Sequence, residues 1–189
     1  MKLNSFLLAA LLVGSVSQAN ATITLFDLVG TAGPGLLFGN EPAVASGGTG
    51  GEIGAGISYD DATLTLTINA GWGSSQGFTD LSSTSSASHI HGPTANNNGS
   101  GFTQTAAVLF TLTRSSTATT GGTFTSAPIT LTAAQQTDLF NGKYYINIHT
   151  TINPGGELRG FLVPVPEPSI LALSGVGLAL LVVRLRRKR

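Results

Sequence analysis

Between residues 22 and 168 the chain is written in short runs where aliphatic residues alternate with Thr, Ser and Asn. The run 63–69 alternates strictly, so an extended backbone places Leu64, Leu66 and Ile68 on one face and the threonines on the other. Comparable runs at 23–28, 53–59, 87–91, 106–112, 144–149 and 158–162 make seven predicted strands. Seven short strands separated by small polar residues predict an all-β domain, either a sandwich or a barrel. One helix is expected, over 133–140, with Thr132 as its N-cap and Gly142 as its stop. Segments 79–86, 92–101 and 114–122 read as solvated loops, and the glycine run 47–51 as a flexible turn. No Lys-Ser/Thr pair follows those glycines, so they are no phosphate loop.

The two ends follow different rules. Lys2, the apolar stretch 6–13 and the Ala19-Asn20-Ala21 triplet predict a signal peptide over 1–21, cleaved after Ala21. Residues 169–183 carry no charge, and Arg184, Arg186, Arg187, Lys188 and Arg189 follow at once. As a helix of about 169–185, this segment is a marginal membrane span, its fifteen uncharged residues reaching ~22 Å against a ~30 Å hydrocarbon core. The basic tail 184–189 places the expected C-terminus on the cytoplasmic side and the body outside. The body is therefore expected to occupy 22–163, followed by a sorting segment over 164–189.

Charge sharpens this division. Only 10% of residues are charged, where ~25% is usual. Three basic residues face nine acidic ones between Thr22 and Pro168, a net charge of about −6. Such a body offers no footprint for nucleic acid. The absence of cysteine excludes a disulfide scaffold, thiol catalysis and Cys-ligated zinc.

The three histidines stand in two predicted strands, as His89-Ile90-His91-Gly92-Pro93 and as Tyr145-Ile146-Asn147-Ile148-His149. Strand residues two apart point the same way, so His89 and His91 can reach one metal ion, and pairing of the two strands adds His149. Imidazole suits copper and zinc, and a loop carboxylate such as Asp80 is a candidate fourth ligand. On the strand after Asn153-Pro154-Gly155-Gly156, Glu157 and Arg159 share the outward face with Phe161, which brings Arg159 beside the histidines. The alternative is structural: the imidazoles bond loop carbonyls, and Arg159 pairs with Glu157 or a carbonyl. Trp72, Tyr144 and Tyr145 read as core or rim aromatics, with a sugar-stacking platform as the alternative. No Gly-x-Ser-x-Gly elbow or other catalytic spacing is present, so no catalytic residue is expected.

Two resemblances extend this reading. Pro166-Glu167-Pro168, a short apolar segment and an Arg-rich end resemble the PEP-CTERM sorting signal. That resemblance implies a temporary membrane anchor, processing by an exosortase after signal peptidase has acted, and release to the cell surface or matrix. His-Ile-His-Gly-Pro, Tyr-Ile-Asn-Ile-His-Thr and Asn-Pro-Gly-Gly-Glu-Leu-Arg-Gly resemble the chordin-type (CHRD) domain. It implies an immunoglobulin-like, superoxide-dismutase-like Greek-key sandwich or barrel. In that comparison His89, His91 and His149 match copper ligands and Arg159 matches an anion-attracting arginine. The chain departs from the dismutase in lacking a fourth histidine, a zinc site and the disulfide. The expectation is an exported, non-catalytic surface protein with a structural or adhesive role among exopolysaccharide and other envelope proteins, and no cofactor. The rival is a mononuclear copper- or zinc-binding protein.

Overall fold

The structure is a computed structural model that describes residues 22–95, 102–125 and 127–166. Its strands are β1 (Ile23–Gly30), β2 (Gly33–Pro34), β3 (Leu36–Leu37), β4 (Thr49–Asp60), β5 (Thr65–Trp72), β6 (Ser85–His91), β7 (Val108–Thr111), β8 (Gly122–Thr125), β9 (Ile129–Thr130), β10 (Tyr145–Thr150) and β11 (Leu158–Pro164), with helix α1 (Ala133–Phe140) before β10. The domain is all-β, as the alternation predicts. All seven predicted strands are present, and the single helix has the predicted bounds.

Every pairing is antiparallel, and the main strands follow the path β8–β5–β4–β1–β11–β10–β6–β7. Arg114, just beyond β7, pairs with Phe124 of β8 and so joins the two ends of that path. Joining the ends leaves the long strands without a free edge. Strand β10 returns to lie beside β6, on the side opposite β7. Strand β1 pairs with β4 through Phe26 and with β11 from Phe26 onward, while β3 fills the gap between β4 and β11.

Inside, Phe26, Tyr59, Ile68, Trp72, Ile146 and Leu162 are among the fully buried side chains. The Trp72 ring stacks on Phe124 at 5.9 Å, and its indole N–H donates to the Ala118 carbonyl at 3.1 Å. Trp72, Tyr144 and Tyr145 are all at most 2% exposed, so none presents a face on which a sugar ring could stack. Helix α1 starts on a capping box, in which the Thr132 hydroxyl accepts from the Gln135 N–H at 3.3 Å and the Gln135 side chain accepts from the Thr132 N–H at 2.9 Å. Phe140, at its end, sets its ring edge-on to Phe26 and Tyr59, each at 5.6 Å, and so closes one mouth of the barrel.

Three expectations need correcting. Leu64 is not in the core: it is 42% exposed with φ of 58°. Asp60 accepts from the Ala62 and Thr63 N–H groups, and that turn ends before the strand begins at Thr65. The glycine run is no flexible turn, because Thr49, Gly50 and Gly51 begin β4 and the backbone there is closely packed. A Cβ on Gly48 would stand 2.8 Å from the Thr79 and Asp80 carbonyl oxygens, and one on Gly50 would collide with the Gly71 carbonyl. Finally, β2, β3, β8 and β9 were not predicted, since two to four residues are too few to display a period.

The signal segment with Ala19 and Ala21, and the chain from Glu167 onward with Pro168, the apolar stretch and the basic tail, lie outside the described residues. Pro166 is described and exposed. Among the described residues no helix is long and apolar enough to cross a membrane.

Candidate metal centre

Strands β6, β10 and β11 lie side by side, with Asn147 between His89 and Arg159 and Tyr145 between His91 and Phe161. Ile90, Ile146, Ile148, Leu158 and Leu162 point into the barrel, so these polar side chains emerge on its outer face. That face is not solvent. His91, Asn147, His149, Glu157 and Arg159 are all buried, because the loops around 38–48, 102–106 and 151–157 fold across the sheet. Asn40 ties one of them down: its side chain donates to the Arg159 carbonyl at 3.0 Å and accepts from the Ala32 N–H at 2.7 Å.

Under this cover the three histidines converge, with their ligating nitrogens within 4.8 Å of one another. His89 Nδ1 is 3.1 Å and His91 Nε2 3.4 Å from His149 Nε2. Nitrogens sharing one tetrahedral zinc or copper ion, with bonds of ~2.0–2.1 Å, stand about 3.3 Å apart. Two loop carbonyls fix the tautomers. His91 Nδ1–H donates to the Ala106 carbonyl and His149 Nδ1–H to the Pro154 carbonyl, each at 2.9 Å. A carbonyl can only accept, so in the neutral form of each ring Nε2 carries the lone pair, and the two face each other. Burial, the first cause, holds all three imidazoles below the ordinary histidine range, with the neighbouring histidines and arginines adding to it and the two carbonyl bonds opposing it. Neutral rings with oriented lone pairs are the form a metal ion binds.

Asp80 does not complete the cluster; its carboxylate accepts from the Ser74 N–H at 2.8 Å and caps the turn at Ser74–Gln76. Arg159 is 1% exposed and held by Glu41, with Nε 2.6 Å from Oε2 and Nη2 3.1 Å from Oε1. Its carboxylate partner is therefore Glu41 rather than Glu157, and its Nη1 donates to the Gln104 carbonyl at 3.3 Å, the loop-carbonyl alternative that was expected. The guanidinium also lies 4.3 Å from the centre of the Tyr145 ring, and that ring stacks on His91 at 4.9 Å and 4°. Desolvation raises the Glu41 carboxyl above the usual range, against the pull of Arg159 and Asn147.

Glu157 is fully buried on other partners. One oxygen accepts from the Gly48 and Ser82 N–H groups at 2.9 and 2.8 Å. The other accepts from the Ser82 hydroxyl, from the Thr150 hydroxyl at 2.8 Å and from Asn153 at 3.3 Å. Burial acts to raise this carboxyl, but the donors together outweigh it and hold the group below the usual range. Glu157 thus pins three loops beside the histidines and binds no cation among the described residues.

Sequence reasoning missed Glu41, Asn40 and Tyr145 as a stacking partner, whereas the bonding of imidazoles to loop carbonyls, expected as the structural alternative, is present at His91 and His149. Pro154 had a signal, since a tight turn five residues after His149 returns a carbonyl toward the ring. Glu41 had none.

A β-barrel with a buried polar layer around three imidazoles is the class of structure these residues define. The CHRD domain family matches residues 36–162, and the chain belongs to that family. The PEP-CTERM protein-sorting motif matches residues 164–188. No curated protein and no solved structure matches the chain. The CHRD domain is a non-catalytic type of domain, and the sorting motif implies export, a transient C-terminal membrane anchor and exosortase processing before display at the cell surface.

Proposed function

We propose that this exported protein binds one copper or zinc ion at the cell surface through His89, His91 and His149, without catalysing a reaction. The observation that carries the reading is the pair of Nε2 lone pairs facing each other at 3.4 Å, each fixed by a carbonyl behind its own ring. Two acceptors so placed repel each other unless a cation lies between them. A bound ion supplies Lewis acidity and, if it is copper, one-electron chemistry. The chain's residues hold it: the Ala106 and Pro154 carbonyls orient two ligands, Tyr145 fixes the plane of His91, and the loops exclude bulk water. The strand order supports the likeness to the superoxide dismutase barrel, whereas Arg159, locked on Glu41, acts here as a structural residue rather than an attractor of anions.

The division into a signal peptide over 1–21, a domain over 22–163 and a sorting segment over 164–189, with the C-terminus cytoplasmic while anchored, belongs to the same proposal. A structural or adhesive role among exopolysaccharide is the second reading. It is favoured by the exposed, uncharged hydroxyl row of Thr111, Thr113, Ser115 and Thr117. Hydroxyls at alternate positions suit hydrogen bonding to hydrated sugar chains.

Metal uptake tests the first reading. The exported chain is expected to retain about one equivalent of copper or zinc after dialysis, and His91→Ala to lower the affinity at least 100-fold while leaving the fold intact. Substoichiometric metal that His91→Ala leaves unchanged would return the histidines to a purely structural role.

A further inference from the structure

Both ends of the described chain leave from one mouth of the barrel. Beyond β11, Val165 donates its N–H to the Leu25 carbonyl at 2.9 Å, and Thr22 donates to the Asp61 carboxylate at 2.7 Å in the turn that follows β4. Ile23 pairs with Asp60 at the same edge. The sorting motif matches from residue 164, the last of β11, so the barrel passes into it without a linker. Residues 166–168 reach at most ~11 Å, at ~3.6 Å each, before the uncharged run opens at 169. A headgroup layer is roughly 5–8 Å deep. While the chain is anchored, this mouth is therefore held at the membrane surface, and the barrel has little slack to turn another face toward it.

The side chains round that mouth suit lipid better than water. Strand β1 is apolar on both sides here: Phe26 and Leu28 point into the barrel, while Ile23 and Leu25, two apart on the outer side, are 50% and 51% exposed. Leu64, in the turn between β4 and β5, is 42% exposed, and Phe140, which closes the mouth, is 39% exposed. Single exposed apolar side chains are ordinary, but these four gather at the one end that the tether brings to lipid. Of the other large apolar side chains exposed among the described residues, Val108 lies on the wall beside His91, and Ile152 follows β10 at the opposite mouth. Charge does not draw this end to a membrane. Lys143, just past α1, is taken up by Asp138 at 2.9 Å, and Asp60 and Asp61 stand at the tip of the turn.

We propose that Ile23, Leu25, Leu64 and Phe140 form a membrane-resting surface, which during the anchored stage enters the headgroup layer of the bilayer holding the C-terminal segment and so orients the barrel mouth-down over its own sorting motif. The inference rests on the anchoring that the sorting motif implies and not on the metal reading. Contact through such side chains is apolar and needs no anionic lipid, and the Asp60 and Asp61 carboxylates make anionic lipid unfavourable. Four half-exposed side chains hold a membrane only marginally by themselves, as a single acyl chain does, so cleavage at the motif also ends the contact.

The chain has no cysteine, so a single introduced one carries a fluorescent label at a chosen place. Leu25→Cys, Leu64→Cys and, at the opposite mouth, Ile152→Cys each replace an exposed side chain. The labelled full-length exported chains are reconstituted in phosphatidylcholine vesicles and read by emission wavelength and by quenching from a spin label carried on the lipid headgroup. Labels at positions 25 and 64 are expected to emit at shorter wavelength and to be quenched at least about twofold more than the label at position 152, at low and high salt alike. Equal quenching at all three positions, in vesicles that carry the chain, overturns the surface and leaves the anchor standing. A wavelength shift that occurs only after exosortase is added to the vesicles overturns the bilayer as the occupant in favour of the enzyme. A chain that fails to float with the vesicles overturns the anchor and the contact together.

Discussion

Replacing Arg159 with Met destabilises the folded domain by about 3–5 kcal/mol, the usual result of removing one member of a buried ion pair. The side chain is 1% exposed and Glu41 about as enclosed as a surface-facing carboxylate becomes, at 9%. Without the guanidinium, Glu41 keeps its desolvation and loses the two contacts, at 2.6 and 3.1 Å, that offset it. The Tyr145 ring loses the cation lying 4.3 Å from its centre, and with it part of the packing that holds the ring against His91. For a domain of this size the loss appears as a fall of about 10 °C or more in melting temperature. Denaturant unfolding of the two chains checks it, with the slope unchanged and the midpoint lowered. Adding Glu41→Leu to Arg159→Met removes the stranded carboxylate and is expected to recover much of the loss. A single-substitution cost below about 1 kcal/mol would mean that the pair is open to water.

Glu157→Gln is the second large effect. The carboxylate accepts from five donors, two on one oxygen and three on the other. An amide keeps the shape but turns one acceptor into a donor, which then faces N–H or O–H groups. Charge-assisted bonds of about 1.5–3 kcal/mol each are weakened or lost, so a net cost of about 3 kcal/mol is expected. The pH dependence has a definite sign. The folded-state carboxyl titrates below its ordinary value of 4.5, so the stabilisation is fully present above 4.5 and is lost as pH falls through the lower, folded-state value. Unfolding midpoints measured between pH 7 and pH 3 should fall on acidification in wild type, and the gap between wild type and Glu157→Gln should narrow over that range. A constant gap would remove the ionised carboxylate from the account.

The chain announced its strands through alternation because each central strand buries one face in the barrel: Leu66 and Ile68, or Ile146 and Ile148, need no long-range information to be assigned inward. The same alternation brought His89, His91 and His149 to one face, and the structure gathers them there. It failed where burial came from elsewhere in the chain. Alternation says only that these side chains face away from the core, whereas the loop carrying Asn40 and Glu41 covers that face, and Glu41 is 118 residues from Arg159. No period links such positions. Leu64 failed for the opposite reason, since a local turn set by Asp60 interrupts a pattern that otherwise reads as strand. The glycines at 47–51 looked like freedom and are in fact close approach, a distinction that requires knowing that the Thr79, Asp80 and Gly71 carbonyls lie against them.

Coordination of the bound ion tests the central claim most directly. Anomalous diffraction from crystals of the copper- or zinc-loaded exported chain should place one ion within ~2.0–2.1 Å of His89 Nδ1, His91 Nε2 and His149 Nε2, with the Ala106 and Pro154 carbonyls still bonded behind two of the rings. An ion bound elsewhere, or a loaded crystal in which those three nitrogens hold nothing but one another, would contradict it.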